Sequence, residues 1–304
     1  MTFNRRALLA SLAIPTLAIP ALARAQTPVP PWTRDAYIAA MRESGRPTDI
    51  SEASFQAIQA RKPAAMRRIQ DYLARRFPEA DPAVLRAFAE VPREYFHYMY
   101  EGPRAAAGDA YEAEAKPWAV GFGSALSDYL GQAYMTQVCA PQPDHVVLEI
   151  GTGSGFQSAL LSRIVAKQYS IEIIEPLGRG VAPIFRPLGY TNVETRVGDG
   201  FFGWPEVAGG FDTIIVTCAA QYVPPALVAQ LKPGGRLVIP IGQPFRRGQF
   251  LYVYTKDADG RLRSRKDVGV YFIPMTGTMM RTPRPAGVEG PPPAPVPAPA
   301  APAG

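Results

Sequence analysis

The sequence predicts an α/β fold in which a doubly wound, mostly parallel sheet carries helices on both faces. Strand-like apolar runs alternate with helical segments over residues 146–241, and this alternation is typical of parallel sheets. The first of these runs, Val146–Ile150, leads directly into a glycine-rich turn and then into an apolar helical pattern. In open sheets of this kind, ligands bind at the carboxyl ends of the strands. We therefore expect the functional site at the turn that follows Ile150.

The glycine-rich turn, Gly151-Thr152-Gly153-Ser154-Gly155, is expected to bind a nucleotide-like cofactor. Glycine lets the backbone adopt positive φ and lets a ligand approach closely, and the helix that follows offers unpaired N–H groups. The turn is shorter than the dinucleotide fingerprint G-x-G-x-x-G. Glu149 precedes it, and Glu172 lies near the end of the next predicted strand, where a carboxylate can accept from ribose hydroxyls. These features favour S-adenosylmethionine over a dinucleotide, and both glutamates argue against a tight turn that binds nothing.

The chain before the sheet, residues 33–89, has a helical pattern in four pieces. Thr33 and Ser51 are suitable N-caps for the first two pieces, which we expect to pack as a helical cap on the main domain. The predicted helices are Asp35–Arg42, Ala53–Ala60, Ala64–Phe77 and one that Asp81-Pro82 opens.

The chain after the glycine turn continues the alternation of strands and helices. The crossover segment Pro176–Gly189 is a poor helix because glycines and prolines interrupt it. The last two predicted strands flank a turn at Asp259-Gly260 with no helix between them, so we expect an antiparallel hairpin at the sheet edge. The predicted elements are strands Val193–Val197, Phe211–Val216, Arg236–Ile241, Phe250–Thr255 and Val268–Ile273, helix Pro224–Leu231 and turn Lys232–Gly235.

Composition and charge narrow the class of protein. The chain has 304 residues, of which 47% are hydrophobic, enough for a substantial core. No cluster of lysine and arginine stands out, so nucleic acid is not an expected partner. The chain has two cysteines and two histidines, scattered without the spacing of metal ligands, so no metal site is expected. The spacing leaves open whether the cysteines pair.

The two ends of the chain are expected to lie outside the folded core. Residues 1–25 have a charged start with Arg5 and Arg6, an apolar run, and small residues before a cleavage point at Ala25. This pattern is typical of a twin-arginine-like signal peptide and predicts export, to the periplasm, with no stable membrane insertion after cleavage. The first alternative is that residues 1–25 remain as a membrane anchor, but Pro15 and Pro20 interrupt the apolar run and disfavour it. The second is a cytoplasmic location, which follows if residues 1–25 are not processed. The Pro/Ala-rich tail, residues 283–304, is expected to be disordered.

A series of motifs between Ala64 and Gly277 resembles the protein-L-isoaspartate O-methyltransferase family. The resemblance implies a Rossmann-like class I methyltransferase fold, with an extension at 26–62 and a catalytic domain at 63–282. It also implies S-adenosylmethionine as cofactor and damaged proteins as substrates, whose isoaspartyl carboxylate is methylated for repair. The matching motifs are Val91-Pro92-Arg93-Glu94-Tyr95-Phe96, Val120–Gly123, Leu148–Gly155, Gly198-Asp199-Gly200, Gln230–Gly242 and Phe272–Gly277.

The resemblance assigns roles at the cofactor end of the site. Glu172 would hold the ribose, and Asp199 would accept from the adenine amino group. Glu149 and the backbone of Gly151 and Gly153 would frame the methionine portion. The full cofactor-binding set is Glu149, Gly151, Thr152, Gly153, Ser154, Gly155, Glu172, Asp199 and Gly200.

The acceptor loop departs from the family pattern G-Q-T-x-S-Q-P. Here it reads Gly123-Ser124-Ala125-Leu126-Ser127-Asp128-Tyr129, which places Ser127 at the family's catalytic serine. Gly123, Ala125 and Asp128 would contact the substrate. Ala125 removes a hydroxyl donor, and Asp128 adds a negative charge beside a site for a carboxylate. Alternatively, Asp128 caps the predicted helix Tyr129–Val138 and points away from the substrate.

These departures leave three functions open. The first is repair methylation of isoaspartyl residues. The second keeps the cofactor but methylates another carboxylate or a hydroxyl, because the loop has changed. The third is an exported binding protein whose catalysis has lapsed, because S-adenosylmethionine is made in the cytoplasm.

Overall fold

A computed structural model describes residues 31–243 and 248–284 of the chain. The predicted signal peptide at 1–25 and nearly all of the predicted tail lie outside the described residues. Among the helices of these two stretches, none has the length and apolar character needed to cross a membrane.

The N-terminal part is helical, and its predicted caps are confirmed. The hydroxyl oxygens of Thr33 and Ser51 accept from backbone amides 3.2 and 3.1 Å away, and the Asp81 carboxylate accepts from one at 2.8 Å. The helices are α1 (Arg34–Glu43), α2 (Glu52–Ala74), α3 (Pro82–Glu90) and α4 (Arg93–Phe96).

Helix α2 corrects one prediction. The helices predicted at Ala53–Ala60 and Ala64–Phe77 are a single helix of 23 residues that contains Pro63. A proline inside a helix removes one backbone hydrogen bond. The apolar face nevertheless runs on across it, from Phe55 to Leu73, so burial of that continuous face outweighs the missing bond.

Two small hairpins and a helix connect the N-terminal helices to the sheet. The segment β3–β4 with the start of α5 is the predicted acceptor loop, so this loop is built on a hairpin rather than on irregular chain. The elements are β1 (Tyr98–Met99), β2 (Arg104–Ala105), β3 (Trp118–Gly121), β4 (Ser124–Leu126) and α5 (Tyr129–Cys139).

The predicted doubly wound sheet is confirmed. Within the described residues it has seven strands in the order β11-β10-β9-β8-β5-β6-β7; β9, β8, β5, β6 and β7 run parallel, and β10 and β11 form an antiparallel hairpin at the edge. The strands are β5 (Val146–Ile150), β6 (Lys167–Glu172), β7 (Val193–Val197), β8 (Phe211–Val216), β9 (Leu231–Ile241), β10 (Gln249–Lys256) and β11 (Leu262–Val270). The helices of this half are α6 (Phe156–Ser162), α7 (Glu175–Val181), α8 (Pro225–Gln230) and α9 (Thr278–Arg281).

Three segments of this half differ from prediction or refine it. The predicted turn Lys232–Gly235 is an irregularity inside β9. Leu231 pairs with Phe211 of β8 before it, and regular pairing of the two strands continues from Arg236 after it. The second hairpin strand was predicted at Val268–Ile273 but is Leu262–Val270. Its first half is charged and exposed, as suits an edge strand, and so carries no apolar signal. The poor crossover helix is confirmed, because α7 ends at Val181 and gives way to two 3-10 turns.

The carboxyl ends of the parallel strands lie at one edge of the sheet. Glu149 near the end of β5, Glu172 at the end of β6 and Thr217 after β8 come together there. Trp204 packs in the core against Tyr169, with ring centroids 5.0 Å apart.

Candidate functional site

A single cleft of about 990 Å³ opens at this edge of the sheet. Both the glycine turn and the loop Gly123–Asp128 line it. The fold therefore brings together the two halves of the predicted site, which are more than twenty residues apart in the sequence.

The glycine turn needs its glycines for two different reasons. Gly151 has φ of +99°, and a Cβ there would lie 2.6 Å from the Oγ1 atom of Thr217. Thr217 donates to the carbonyl of Gly151 at 2.7 Å, so the end of β8 locks the turn in place. Gly153 has φ of +54°, and a Cβ there would meet nothing closer than 3.7 Å, on the side that faces Ser124. The turn is thus packed against Thr217 on one side and lies close to the acceptor loop on the other.

Glu172 is tied to the turn. Its Oε2 atom accepts from the amide of Gly153 at 2.8 Å, and its Oε1 atom accepts from the amide of Ile174 at 3.0 Å. Burial raises the pKa of this carboxyl, while the backbone amides oppose the rise. Because a carboxylate has about four acceptor positions, Glu172 keeps capacity for a ligand's hydroxyls.

Glu149 is fully buried beneath the turn. Its Oε2 atom accepts from the hydroxyls of Ser158 and Ser170, the latter at 3.0 Å. Its Oε1 atom is buried without a hydrogen-bond partner among the described residues, and the residue belongs to the lining of the cleft. Desolvation raises the pKa of Glu149 to about 8. Sequence reasoning missed both serines, since nothing local marks a serine on α6 or β6 as a partner of this carboxyl.

Asp199 joins two loops at the same edge. Its Oδ1 atom accepts from the amide of Phe201 at 3.0 Å, and its Oδ2 atom accepts from the amide of Thr278 at 2.7 Å. Gly200, which follows, packs directly on the side chain of Ile150, so a larger residue would push the loop away from β5. Thr278 was not among the predicted site residues.

The acceptor loop begins with a strained turn. Phe122, at the tip of the hairpin, has φ of +54°, a region that residues other than glycine rarely adopt. The Glu101 carboxylate accepts from the Phe122 amide at 2.7 Å and holds this turn. Such strain is concentrated at functional sites. Phe122 and Gly123 both line the cleft, as do Ala125 and Ser127.

Asp128 caps helix α5. Its Oδ1 atom accepts from the amide of Gly131 at 2.7 Å, and its backbone is extended, as at an N-cap. The capping alternative is therefore confirmed, although the residue still lines the cleft. Helix α5 runs from Tyr129 to Cys139, close to the predicted bounds.

The cleft is rich in acids. Among its described lining residues, Arg76 is the sole lysine or arginine. Its guanidinium carbon lies 3.7 Å from the centroid of the Tyr72 ring. The acidic residues of the lining are Asp128, Glu149, Glu172 and Asp199.

His97 is a buried histidine, and neither of its ring nitrogens has a hydrogen-bond partner within the described chain. Its ring lies against Trp118, with centroids 5.3 Å apart, and burial holds its pKa well below the usual value. Cys139 and Cys218 are both free thiols. Across residues 31–243 and 248–284, no group of three or more His, Cys, Asp or Glu side chains could hold a metal ion.

Comparison with known proteins links this geometry to a family. The family model described as Protein-L-isoaspartate(D-aspartate) O-methyltransferase matches residues 67–280. Protein-L-isoaspartate O-methyltransferase 1 of Nitrosospira multiformis is 50% identical over 161 residues, which cover 53% of this chain and 67% of the relative. Protein-L-isoaspartate O-methyltransferase 2 of Syntrophobacter fumaroxidans is 45% identical over 197 residues, which cover 65% of this chain and 76% of the relative.

Solved structures agree with these sequence matches. A protein-L-isoaspartate O-methyltransferase structure superimposes with a TM-score of 0.62 at 25% identity, covering 72% of this chain and 67% of that one. A putative protein-L-isoaspartate O-methyltransferase from Plasmodium falciparum, in complex with S-adenosyl-L-homocysteine, has a TM-score of 0.56 at 20% identity. It covers 68% of this chain and 96% of its own, and it supports the fold.

Proposed function

The chain belongs to the protein-L-isoaspartate(D-aspartate) O-methyltransferase family, and on that premise we propose that it methylates the free carboxylate of isoaspartyl residues in damaged proteins. It is an S-adenosylmethionine-dependent carboxyl O-methyltransferase. The observation that carries the proposal is that one cleft joins the glycine turn to the loop Gly123–Asp128. A methyl donor at the turn and an acceptor carboxylate at the loop would therefore share one cavity.

The cofactor end of the cleft fits S-adenosylmethionine. Gly153 brings the turn close to Ser124 and Ala125 of the loop, and Glu149 has a buried oxygen that lacks a partner in the described chain. In our proposal Glu149 and the backbone of Gly151 and Gly153 frame the methionine portion. Glu172 holds the ribose, and Asp199 accepts from the adenine amino group. Thr152, Ser154, Gly155 and Gly200 complete the proposed set.

The acceptor end needs little beyond orientation. When bound, the cofactor supplies an electrophilic sulfonium methyl group. A carboxylate with a pKa of about 4 is already ionised at neutral pH, so the chain need not provide a general base. The contribution of the chain is to hold the acceptor carboxylate in line with the methyl group of the cofactor and to exclude water. We propose that Ser127 donates to that carboxylate as the catalytic side chain, with Gly123, Ala125 and Asp128 around it.

Methylation of this carboxylate leads to repair. The methyl ester is a better electrophile than the ionised carboxylate, so the neighbouring backbone amide nitrogen can attack its carbonyl carbon, expel methanol and close a succinimide. Water then opens the ring to aspartate or to isoaspartate, and the isoaspartate returns to the enzyme. Repeated cycles convert damaged residues into normal aspartate.

A different acceptor is the second candidate, and Ala125 together with Asp128 favours it. These residues remove a hydroxyl and add a charge where the acceptor carboxylate is expected. Methyl transfer to a panel of isoaspartyl peptides, other carboxylic acids and hydroxyl compounds distinguishes the candidates. The repair function predicts that isoaspartyl peptides have the highest kcat/KM of the panel, whereas a better non-peptide acceptor would support the second candidate.

The domain limits follow from the same family assignment. We propose a catalytic domain at residues 63–282, an N-terminal extension at 26–62 and a tail at 283–304. The family match at 67–280 supports these limits. The extension packs on the catalytic domain, because Trp32 and Gln59 both donate to the Glu94 carboxylate, at 2.8 and 2.5 Å.

We also propose that the protein is exported to the periplasm through a twin-arginine-like signal at residues 1–25. The support is the sequence pattern around Arg5 and Arg6. Mass spectrometry of the protein from fractionated cells tests it. We expect the wild-type chain to lie in the periplasm and to begin after Ala25. The variant with Arg5→Lys and Arg6→Lys should stay in the cytoplasm. A cytoplasmic chain that retains residues 1–25 would contradict export.

A further inference from the structure

We propose that Arg93 is a positioning residue for the acceptor loop, because its guanidinium fixes the main chain at Ser127 and thereby the direction of the Ser127 side chain. This inference rests on the proposed function, in which Ser127 contacts the acceptor. Arg93 lies in the motif Val91–Phe96, 34 residues before Ser127.

The guanidinium joins the loop to the helix that follows it. Its Nη2 atom donates to the carbonyl of Ser127 at 2.8 Å, and its Nη1 atom donates to the Oε1 atom of Gln132 at 2.7 Å. Gln132 lies one turn into α5, the helix that Asp128 caps. The end of the loop is therefore held from two sides, by the cap and by Arg93. A planar guanidinium with two bonds fixes orientation as well as distance.

The same side chain also packs against the first residue of the helix that follows the glycine turn. Its guanidinium carbon lies 4.8 Å from the ring centroid of Phe156 and 5.7 Å from that of Tyr129. Phe156 is the first residue of α6, directly after the glycine turn. Arg93 thus connects the element that carries the glycine turn with the element that carries Ser127.

Burial of Arg93 argues against a role in stability alone. The residue is 3% exposed, and both of its hydrogen-bond acceptors are neutral oxygens. Its Nε atom has no partner among the described residues. Burying a charge with neutral partners is unfavourable relative to an apolar side chain of similar volume. Desolvation lowers its pKa to about 10, so the side chain stays charged at neutral pH.

Arg46 provides a matched control. It is also 3% exposed, lies over an aromatic ring, that of Tyr95 at 4.2 Å, and donates to a backbone carbonyl, that of Tyr95 at 3.0 Å. Its recorded partners lie in the N-terminal helices and the aromatic segment after them, away from the acceptor loop. A loss of stability alone would therefore be similar for the two arginines, whereas a loss of loop geometry is specific to Arg93.

The first test measures the loop without any substrate. Hydrogen exchange of residues 121–131 is followed in the full chain for the wild type, Arg93→Lys, Gln132→Met and Arg46→Lys. We expect exchange in the loop to accelerate by roughly 10-fold or more in the first two variants, since each loses a bond that holds the loop. Arg46→Lys should leave the loop unchanged. Unchanged exchange in both Arg93→Lys and Gln132→Met would overturn the proposal.

The second test couples Arg93 to Ser127 in methyl transfer to an isoaspartyl peptide. Arg93→Lys should lower kcat/KM by roughly 10- to 100-fold through kcat, because a misplacement of about 1 Å has an effect of this size. The dissociation constant of S-adenosylmethionine should change by less than about twofold. The double variant with Ser127→Ala should lose little more than the worse single variant.

The outcomes separate this inference from the proposed function. Multiplicative losses in the double variant would overturn the positioning role, and Ser127→Ala would then act independently of Arg93. A wild type that does not methylate the peptide would contradict the proposed function alone. In that case accelerated loop exchange in Arg93→Lys would still support positioning, and unchanged exchange would exclude it.

Discussion

The Asp128 carboxylate accepts a hydrogen bond from the Gly131 amide, with the two atoms 2.7 Å apart, at the point where the acceptor loop becomes helix α5. Asp128, which departs from the family pattern of the loop, therefore acts as the N-cap of α5, because it satisfies one of the free amides at the start of the helix. This bond does not remove the charge from the cleft. Substitutions can separate the two effects.

The first prediction concerns Asp128→Asn and Asp128→Ala. Asparagine caps helices about as well as aspartate, so Asp128→Asn should leave stability unchanged and, without the negative charge, lower KM for an isoaspartyl peptide by a few-fold. Asp128→Ala should lose about 1 kcal/mol of unfolding free energy. Denaturant unfolding and steady-state kinetics measure both. Equal stability of the two variants would contradict the capping role.

The second prediction concerns pH and Glu149. Because burial raises the pKa of this carboxyl to about 8, the folded protein holds its proton where the unfolded chain has lost it. The stability that this group contributes is therefore complete below the unfolded pKa and is lost as pH rises through about 8, by at most about 1.4 kcal/mol per pH unit. Glu149→Gln removes this dependence.

Denaturant unfolding of the cofactor-free protein between about pH 5 and pH 9 measures the effect. Exposed Glu52→Gln is the control, and it should follow the wild type. A steep fall with pH that survives in Glu149→Gln would assign the dependence to other groups.

The third prediction concerns Arg76, the one cation among the described lining residues of an acidic cleft. Arg76→Gln should raise KM for an isoaspartyl peptide by about 5-fold at low salt, since it removes an attraction of about 1 kcal/mol, and kcat should stay unchanged. The effect should shrink at high salt. Arg75→Gln, a neighbouring exposed arginine outside the lining, serves as control. A similar KM in both variants would show that position 76 does not act on the acceptor.

The fourth prediction concerns Glu94. Its carboxylate accepts from Trp32 and Gln59 of the extension and from the Tyr111 hydroxyl at 2.6 Å, and it is fully buried. Glu94→Ala should reduce the free energy of unfolding by about 3 kcal/mol or more, because several buried donors lose their acceptor. Exposed Glu114→Ala should change it by less than about 0.5 kcal/mol. A small effect of Glu94→Ala would mean that the extension is loosely attached.

Local patterns in the sequence predict those parts of the fold that depend on neighbouring residues. The strands Val193–Val197 and Phe211–Val216 have the predicted bounds, since each is a compact run between turn residues. Strand β11 was displaced because half of it is charged, which only its position at the sheet edge explains. The break predicted between Ala60 and Ala64 is absent, because the packing of α2 continues through Pro63.

The candidate site divides in the same way. The glycine turn, Glu149, Glu172 and Ser127 stand in recognisable local motifs, and the fold brings them to one cleft. Their partners do not stand in such motifs. Ser170 contacts Glu149 across 21 residues of sequence, Arg93 contacts Ser127 across 34, and Thr278 contacts Asp199 across 79. Contacts of this kind depend on the packed structure.

The most direct test of the central claim is transfer of a labelled methyl group from S-adenosylmethionine by the full chain. The acceptors are an isoaspartyl peptide and its twin with normal aspartate, and Ser127→Ala is assayed beside the wild type. We predict base-labile label on the isoaspartyl peptide alone, lost in Ser127→Ala while cofactor binding is retained. Equal labelling of both peptides, or no labelling by a protein that binds the cofactor, would contradict the account.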